Sequence, residues 1–107
     1  MNTVEILKAA RELISDEKRW TKGAAAKDSG GEDVPVEDPS AVCFCSIGAL
    51  SRVYRANGMK VDAYHALVDE AVRCRASGVA DFNDTHTHAE VLALFDRAIA
   101  RAEGGAA

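Results

Sequence analysis

Apolar residues return every three or four positions in four stretches of this chain, and each stretch predicts an amphipathic helix. In the first, Val4, Ile6, Leu7, Ala10, Leu13 and Ile14 form one stripe, with Lys8, Arg11 and Glu12 on the other side. Asn2 stands at the cap position and Glu5 three residues later, the spacing of a capping box. The second stretch is announced by Asp38-Pro39: an aspartate can cap a helix, and a proline at the first helical position lacks only an amide that would have no partner. The expected helix runs from Pro39 to about Ala56, stops at Asn57-Gly58, and buries Val42, Cys45, Ile47, Ala49, Leu50, Val53 and Tyr54. Gly48 within it predicts the close approach of another backbone. The third helix is expected from Val61 to Ala76, with Tyr64, Leu67, Val68, Ala71 and Val72 inward and Asp69, Glu70, Arg73 and Arg75 solvated. The fourth opens on Thr87-His88-Ala89-Glu90, a second capping box, and carries Val91, Leu92, Leu94, Phe95, Ala98 and Ile99 before Gly104-Gly105 closes it.

Between these stretches the periodicity lapses. Residues 20–38 read as a long irregular loop with acidic fill, punctuated by Gly23, Gly30, Gly31 and Pro35. Trp20 at its start argues against free motion, because a lone indole usually anchors something. Residues 79–86 read as a short loop, and residues 104–107 as a frayed tail. The expected fold is all-α: a single domain over residues 1–107, an antiparallel bundle of about four helices with one long loop between the first and second.

At 107 residues the chain is one domain in length. No apolar run nears the roughly 20 residues that span a bilayer, and the first residues lack the charged start and apolar stretch of a secretion signal, so no membrane partner is expected. Thirteen Lys and Arg against seventeen Asp and Glu give a net charge of −4, which disfavours duplex nucleic acid as a partner. Three cysteines, Cys43, Cys45 and Cys74, are too few and odd in number for a disulfide framework, which points to a reducing, cytoplasmic setting.

One polar constellation carries possible chemistry. Cys45 lies near the expected start of the second helix, where the dipole would lower a thiol's pKa. His88, at the start of the fourth, could act as its base, oriented by Asn83 or Asp84, which together would make a cysteine-dependent hydrolase or acyltransferase. The plainer reading makes Cys45 a small buried hydrophobe beside Gly48, and Asn83 and Asp84 turn and cap residues. Cys43-Phe44-Cys45 and His86-Thr87-His88 offer zinc-type donors, but residues two apart on a helix diverge, so no metal and no cofactor is expected. A third reading is a contact surface: Trp20, Gly23, Asp38, Phe44, Phe82 and His86 lie at the edges of the stripes, and aromatic anchors among acids suit a protein-binding patch.

The ordered set Arg19-Trp20-Thr21-Lys22-Gly23, Cys45-Ser46-Ile47-Gly48-Ala49-Leu50, Asp81-Phe82-Asn83-Asp84, His88-Ala89-Glu90-Val91 and Asp96-Arg97-Ala98-Ile99 resembles a family of short bacterial and bacteriophage proteins known only as a domain of unknown function. The similarity runs from Ile6 to Ile99. Relatives commonly carry Trp where Phe44 and Phe82 stand, which keeps an aromatic. The resemblance marks Trp20, Gly23, Cys45, Gly48, Asn83, Asp84 and His88 as positions of interest and implies no activity. The expectation is a small binding or regulatory protein that contacts a protein partner, such as a host or defence protein, through the two loops. The alternative is the thiol enzyme, and self-association as a homodimer is a further possibility.

Overall fold

Reciprocal caps start the first and last helices as their sequences predict. Asn2 Oδ1 accepts from the Glu5 amide at 2.8 Å while Glu5 Oε1 accepts from the Asn2 amide at 2.9 Å. Thr87 and Glu90 repeat the exchange at 3.2 and 2.9 Å. Each box satisfies two amides that a helix start otherwise leaves without partners. The structure, a computed structural model, describes residues 2–57 and 61–104; Gly58, expected to end the second helix, and residues 105–107 of the tail lie outside them.

In chain order the described elements are α1 (Thr3–Leu13), a single 3₁₀ turn (Glu17–Arg19), β1 (Ala26–Lys27), β2 (Cys43–Phe44), α2 (Ser46–Asn57), α3 (Val61–Arg73), α4 (Val79–Thr85) and α5 (His88–Glu103). No helix is long and apolar enough to cross a membrane among the described residues. α1 packs against α2 and α5, α3 covers α5, and α4 closes against α2 and α3. The expected stripes of α1 and α5 meet in the core: Ile6, Leu7, Ala10, Ile14, Val91, Leu94 and Phe95 are all fully buried. Each large side chain buried this way contributes about 1.5–3 kcal/mol from removal of apolar surface from water.

Four expectations need correction. The fold is mostly helical but not purely so: β1 and β2 pair antiparallel, with Ala26 opposite Phe44 and Lys27 opposite Cys43. The expected loop over 20–38 is irregular for most of its length but carries β1 and two backbone bridges, and with residues 39–45 it builds a small β layer. It holds a tight turn at Asp28–Gly31, and Trp20 forms a parallel bridge with Phe44. Second, α2 begins at Ser46, not Pro39. Asp38-Pro39 makes a turn instead, in which Asp38 Oδ1 accepts from the amide and hydroxyl of Ser40. The amides that follow are claimed by the β layer, Val42 by the Lys27 carbonyl and Cys45 by the Ala25 carbonyl. The same Asx-type bonding that caps helices also closes turns, and the cross-strand partners decide between them.

Third, residues 79–85 are a helix. Only Val79 and Phe82 mark its buried side as apolar; the third inward position is Asn83, which reads as a turn residue in isolation. A fifth helix was thus hidden behind a polar side chain on its core-facing side. Fourth, α3 keeps Leu67 and Ala71 inward as expected but turns Ala63 and Glu70 in beside them in place of Tyr64 and Val72. Ala63, Leu67, Glu70 and Ala71 are buried, whereas Tyr64 is 36% and Val72 56% exposed. Glu70, expected in solvent, is 2% exposed.

Gly48 behaves as its sequence context predicts. A Cβ at this position would overlap the Ala25 carbonyl, so α2 can meet the β layer only through a glycine.

Candidate functional site

The β layer, the start of α2 and the end of α4 meet on one buried amide. Asn83 is completely buried, and its Oδ1 accepts from Trp20 Nε1 at 2.8 Å, from the Ser46 amide at 3.0 Å and from Ser46 Oγ at 2.7 Å. Its Nδ2 donates to the Thr21 carbonyl at 3.0 Å and to Asp84 Oδ1 at 3.2 Å. An indole N–H and a backbone N–H can only donate, and a backbone carbonyl can only accept, so these partners fix which way the amide points. Asp84 Oδ1 also accepts from the Gly23 amide at 3.1 Å. Gly23 has φ +79°, a conformation glycine reaches at little cost. Ser46 is likewise completely buried; nothing in the periodicity singled it out, because a serine reads as a surface or cap residue until its partner is known.

Cys45 precedes α2 and caps it with sulfur. Its Sγ accepts from the Gly48 amide at 3.3 Å, and its carbonyl accepts from the Ala49 amide at 2.8 Å. The thiol is 8% exposed. Burial pushes its pKa up, more than the amides at the helix start pull it down, and the Asp84 charge pushes it further up. The lowered pKa expected of a thiol near a helix start is reversed here by burial.

His88 is spoken for by other groups. Its Nε2 lies 2.7 Å from the Ile14 carbonyl, which can only accept, so Nε2 carries the proton and ties the start of α5 to the end of α1. Its ring lies 5.4 Å from the Trp20 ring, centroid to centroid, and Lys22 Nζ lies 5.5 Å from the same indole. Among the described residues no hydrogen bond joins His88 to Cys45, Asn83 or Asp84.

Beside this junction lies a recess of about 280 Å³. Gly23, Ala24, Ala25, Ile47 and Ala80 line it, together with the buried Cys45 and the exposed Asp84. Its walls are thus mainly apolar, with one carboxylate.

The structure therefore brings Trp20, Gly23, Cys45, Asn83 and Asp84 to one junction, with His88 joined through the indole. It separates the remaining candidates. Phe44 and Phe82, expected at a contact surface, are 2% and 3% exposed and belong to the core; the Arg52 guanidinium lies 5.5 Å from the Phe44 ring. Asp38 sits in its turn, its carboxyl held below the usual range by the hydroxyl and amide of Ser40, and its carbonyl accepts from Arg52 at 3.3 Å. His86 stacks on Phe82 with ring centroids 3.7 Å apart and planes within 6° of parallel, and donates from Nδ1 to the Phe82 carbonyl at 2.9 Å. It lines a second cavity of about 250 Å³ with Cys74, Phe82, Glu90 and Arg97. All three cysteines are free, and no group of three or more His, Cys, Asp or Glu side chains is placed to hold a metal among the described residues.

No curated protein and no solved structure matches the chain. One family model matches residues 1–101, which takes in α1 through nearly all of α5 and every residue of the junction. The chain therefore belongs to DUF6197, a family of unknown function.

Proposed function

We propose that this protein is a binding protein that receives a side chain of a protein partner in the recess beside the Asn83 junction. The observation that carries this reading is how the polar groups there are used. Trp20, Asn83, Ser46 and Asp84 bond to one another and to the backbone, so they hold the recess open instead of arming the thiol that lines it. Apolar walls with a single carboxylate suit a guest with an aliphatic stem and a cationic end, a lysine or arginine side chain. The thiol-enzyme reading draws less support. A nucleophilic thiol needs a lowered pKa or an adjacent base, whereas Cys45 has a raised pKa and His88 is held by Ile14 and Trp20.

Ala80 lines the recess on the exposed side of α4 and takes no part in the junction, so Ala80→Trp fills the recess without touching the hub. The wild-type protein as bait should retain a partner that Ala80→Trp, with an unchanged melting temperature, does not. Equal retention by both baits removes the recess from the contact. Iodoacetamide at neutral pH should label the exposed Cys74 well before Cys45. A Cys45 that outruns Cys74, and slows when His88 is replaced, would restore the enzyme.

A further inference from the structure

On the opposite use of charge, three arginines converge on one buried carboxylate. Glu70 of α3 has a side chain 2% exposed. Arg101 Nε lies 2.6 Å from its Oε2, Arg73 Nε lies 3.6 Å from the same oxygen, and Arg97 Nε lies 3.9 Å from Oε1. Neutralising Glu70 takes one guanidinium, and only Arg101 is within hydrogen-bond reach of it. Two positive charges are left over, on side chains 46–56% exposed, in a protein whose net charge is −4. The acids of α5 that could offset them are engaged elsewhere: Asp96 pairs with Arg11 at 2.6 Å, Glu103 with Lys8 at 3.0 Å, and Glu90 accepts from the Thr87 amide at 2.9 Å in its capping box. Among the described residues no further acid pairs with the three arginines.

Spacing accounts for the convergence. Arg97 and Arg101 are four residues apart on α5, and Glu70 and Arg73 three apart on α3, so each pair shares a helix face where the two helices pack. Each guanidinium approaches Glu70 through Nε. Arg97 Nη2 donates to Cys74 Sγ at 3.2 Å, while the terminal nitrogens of Arg73 and Arg101 have no protein acceptor among the described residues. Arg97 and Cys74, with the Glu90 carboxylate, also line the 250 Å³ cavity walled by the Phe82–His86 stack.

We infer that Arg73, Arg97 and Arg101 form a receiving site for a phosphate monoester, with the group that carries the phosphate entering the adjoining aromatic-walled cavity. The surplus of two positive charges matches a phosphate monoester, which carries roughly −1.5 to −2 near pH 7, better than a single carboxylate. The terminal nitrogens of Arg73 and Arg101 that Glu70 leaves unused supply donors for its terminal oxygens. The site is separate from the recess and does not rest on it.

The test is titration of the wild-type protein with phenyl phosphate, followed by NMR of the arginine Nε–H groups and by calorimetry at constant ionic strength. Phenyl phosphate should shift the signals of Arg73, Arg97 and Arg101. Arg97→Ala, at an exposed position, should weaken binding by roughly tenfold or more, the effect of losing a charge-assisted hydrogen bond. Glu70→Gln should strengthen it, because the internal competitor loses its charge; a purely structural cluster would bind nothing before or after that change. A tyrosine-phosphorylated peptide distinguishes the source of the ligand. Binding much tighter than phenyl phosphate assigns the site to a modified protein, and equal binding assigns it to a small phosphate ester. Absence of any shift from either probe at millimolar concentration, or an Arg97→Ala protein that binds as well as wild type, overturns the site.

Discussion

Asn83 and Glu70 are both buried polar side chains at helix junctions, and they are used in opposite ways. Asn83 is neutral, and its two polar atoms are taken up by groups that belong to three separate segments. Glu70 is charged, and its partners are long side chains from two helices that remain about half exposed. A buried polar group whose every bond is internal specifies one arrangement, because any other leaves donors or acceptors without partners in a low-dielectric interior. A carboxylate oversupplied with exposed cations specifies much less, since water can replace any one partner, but it leaves donors available to a ligand. The first junction spends its bonds on holding the recess beside it in shape, and the second leaves its own donors open.

The largest expected effect separates the two directly. Asn83→Ala strands the Trp20 indole N–H, the Ser46 amide and hydroxyl, and the Thr21 carbonyl. With each unsatisfied buried group costing about 1–3 kcal/mol, the variant should lose on the order of 3–5 kcal/mol in urea denaturation, allowing for some rescue by water. A loss below about 1 kcal/mol would put Asn83 on the same footing as Glu70 and dissolve the contrast. Gly48→Ala attacks the same junction without removing a hydrogen bond, by placing a methyl group on the Ala25 carbonyl. It should cost about 1–3 kcal/mol as α2 and the β layer separate. Trp20 fluorescence should change with it, because the Trp20 backbone bridges Phe44 in the same layer and its indole donates to Asn83.

Much of this contrast could not be read from the chain alone. The two capping boxes, the stripes of α1 and α5 and the close approach at Gly48 were legible because each is a local pattern with a local cause. The β layer was not: two-residue strands have no periodicity to detect, and Cys43-Phe44 pairs with Ala26-Lys27 across a gap of 15 intervening residues. α4 is concealed because its third buried position is Asn83, whose partners other than Asp84 lie 37 to 63 residues away. The sequence places Glu70 in solvent because charge normally predicts exposure. The signal that could have moved it was its position three after Leu67 and one before Ala71, in the middle of the buried stripe. Of the polar residues that the sequence draws together, Cys45, Asn83 and Asp84 meet at the junction while His88 bonds to Ile14 and His86 to Phe82, and the bonds among them are legible only from the fold.

Glu70→Gln sharpens the comparison from the other side. Its carboxylate is buried, but the guanidiniums it would release are 46–56% exposed and return to water rather than becoming stranded charges. Screening by solvent keeps such pairs weak, so the stability loss should be no more than about 1 kcal/mol, and smaller in high salt. A loss equal to that of Asn83→Ala would make the arginine cluster a structural clamp.

The smallest effect lies in the alkaline limb of stability and contrasts the two junctions through their thiols. Burial raises the pKa of Cys45 in the folded protein above its unfolded value of roughly 8.5. A group with a raised folded pKa binds its proton more tightly in the native state. Its contribution is therefore complete below the unfolded pKa and is lost as pH rises through the folded one. Tyr54, also raised mainly by burial, acts in the same direction at higher pH. Denaturation midpoints should thus fall from about pH 8 upward, and Cys45→Ala should flatten the first part of that fall. Cys74→Ala, which removes the exposed thiol beside Arg97, is the companion variant. If the two variants change the slope equally, the Cys45 sulfur is not the sealed helix cap that its bond from the Gly48 amide implies.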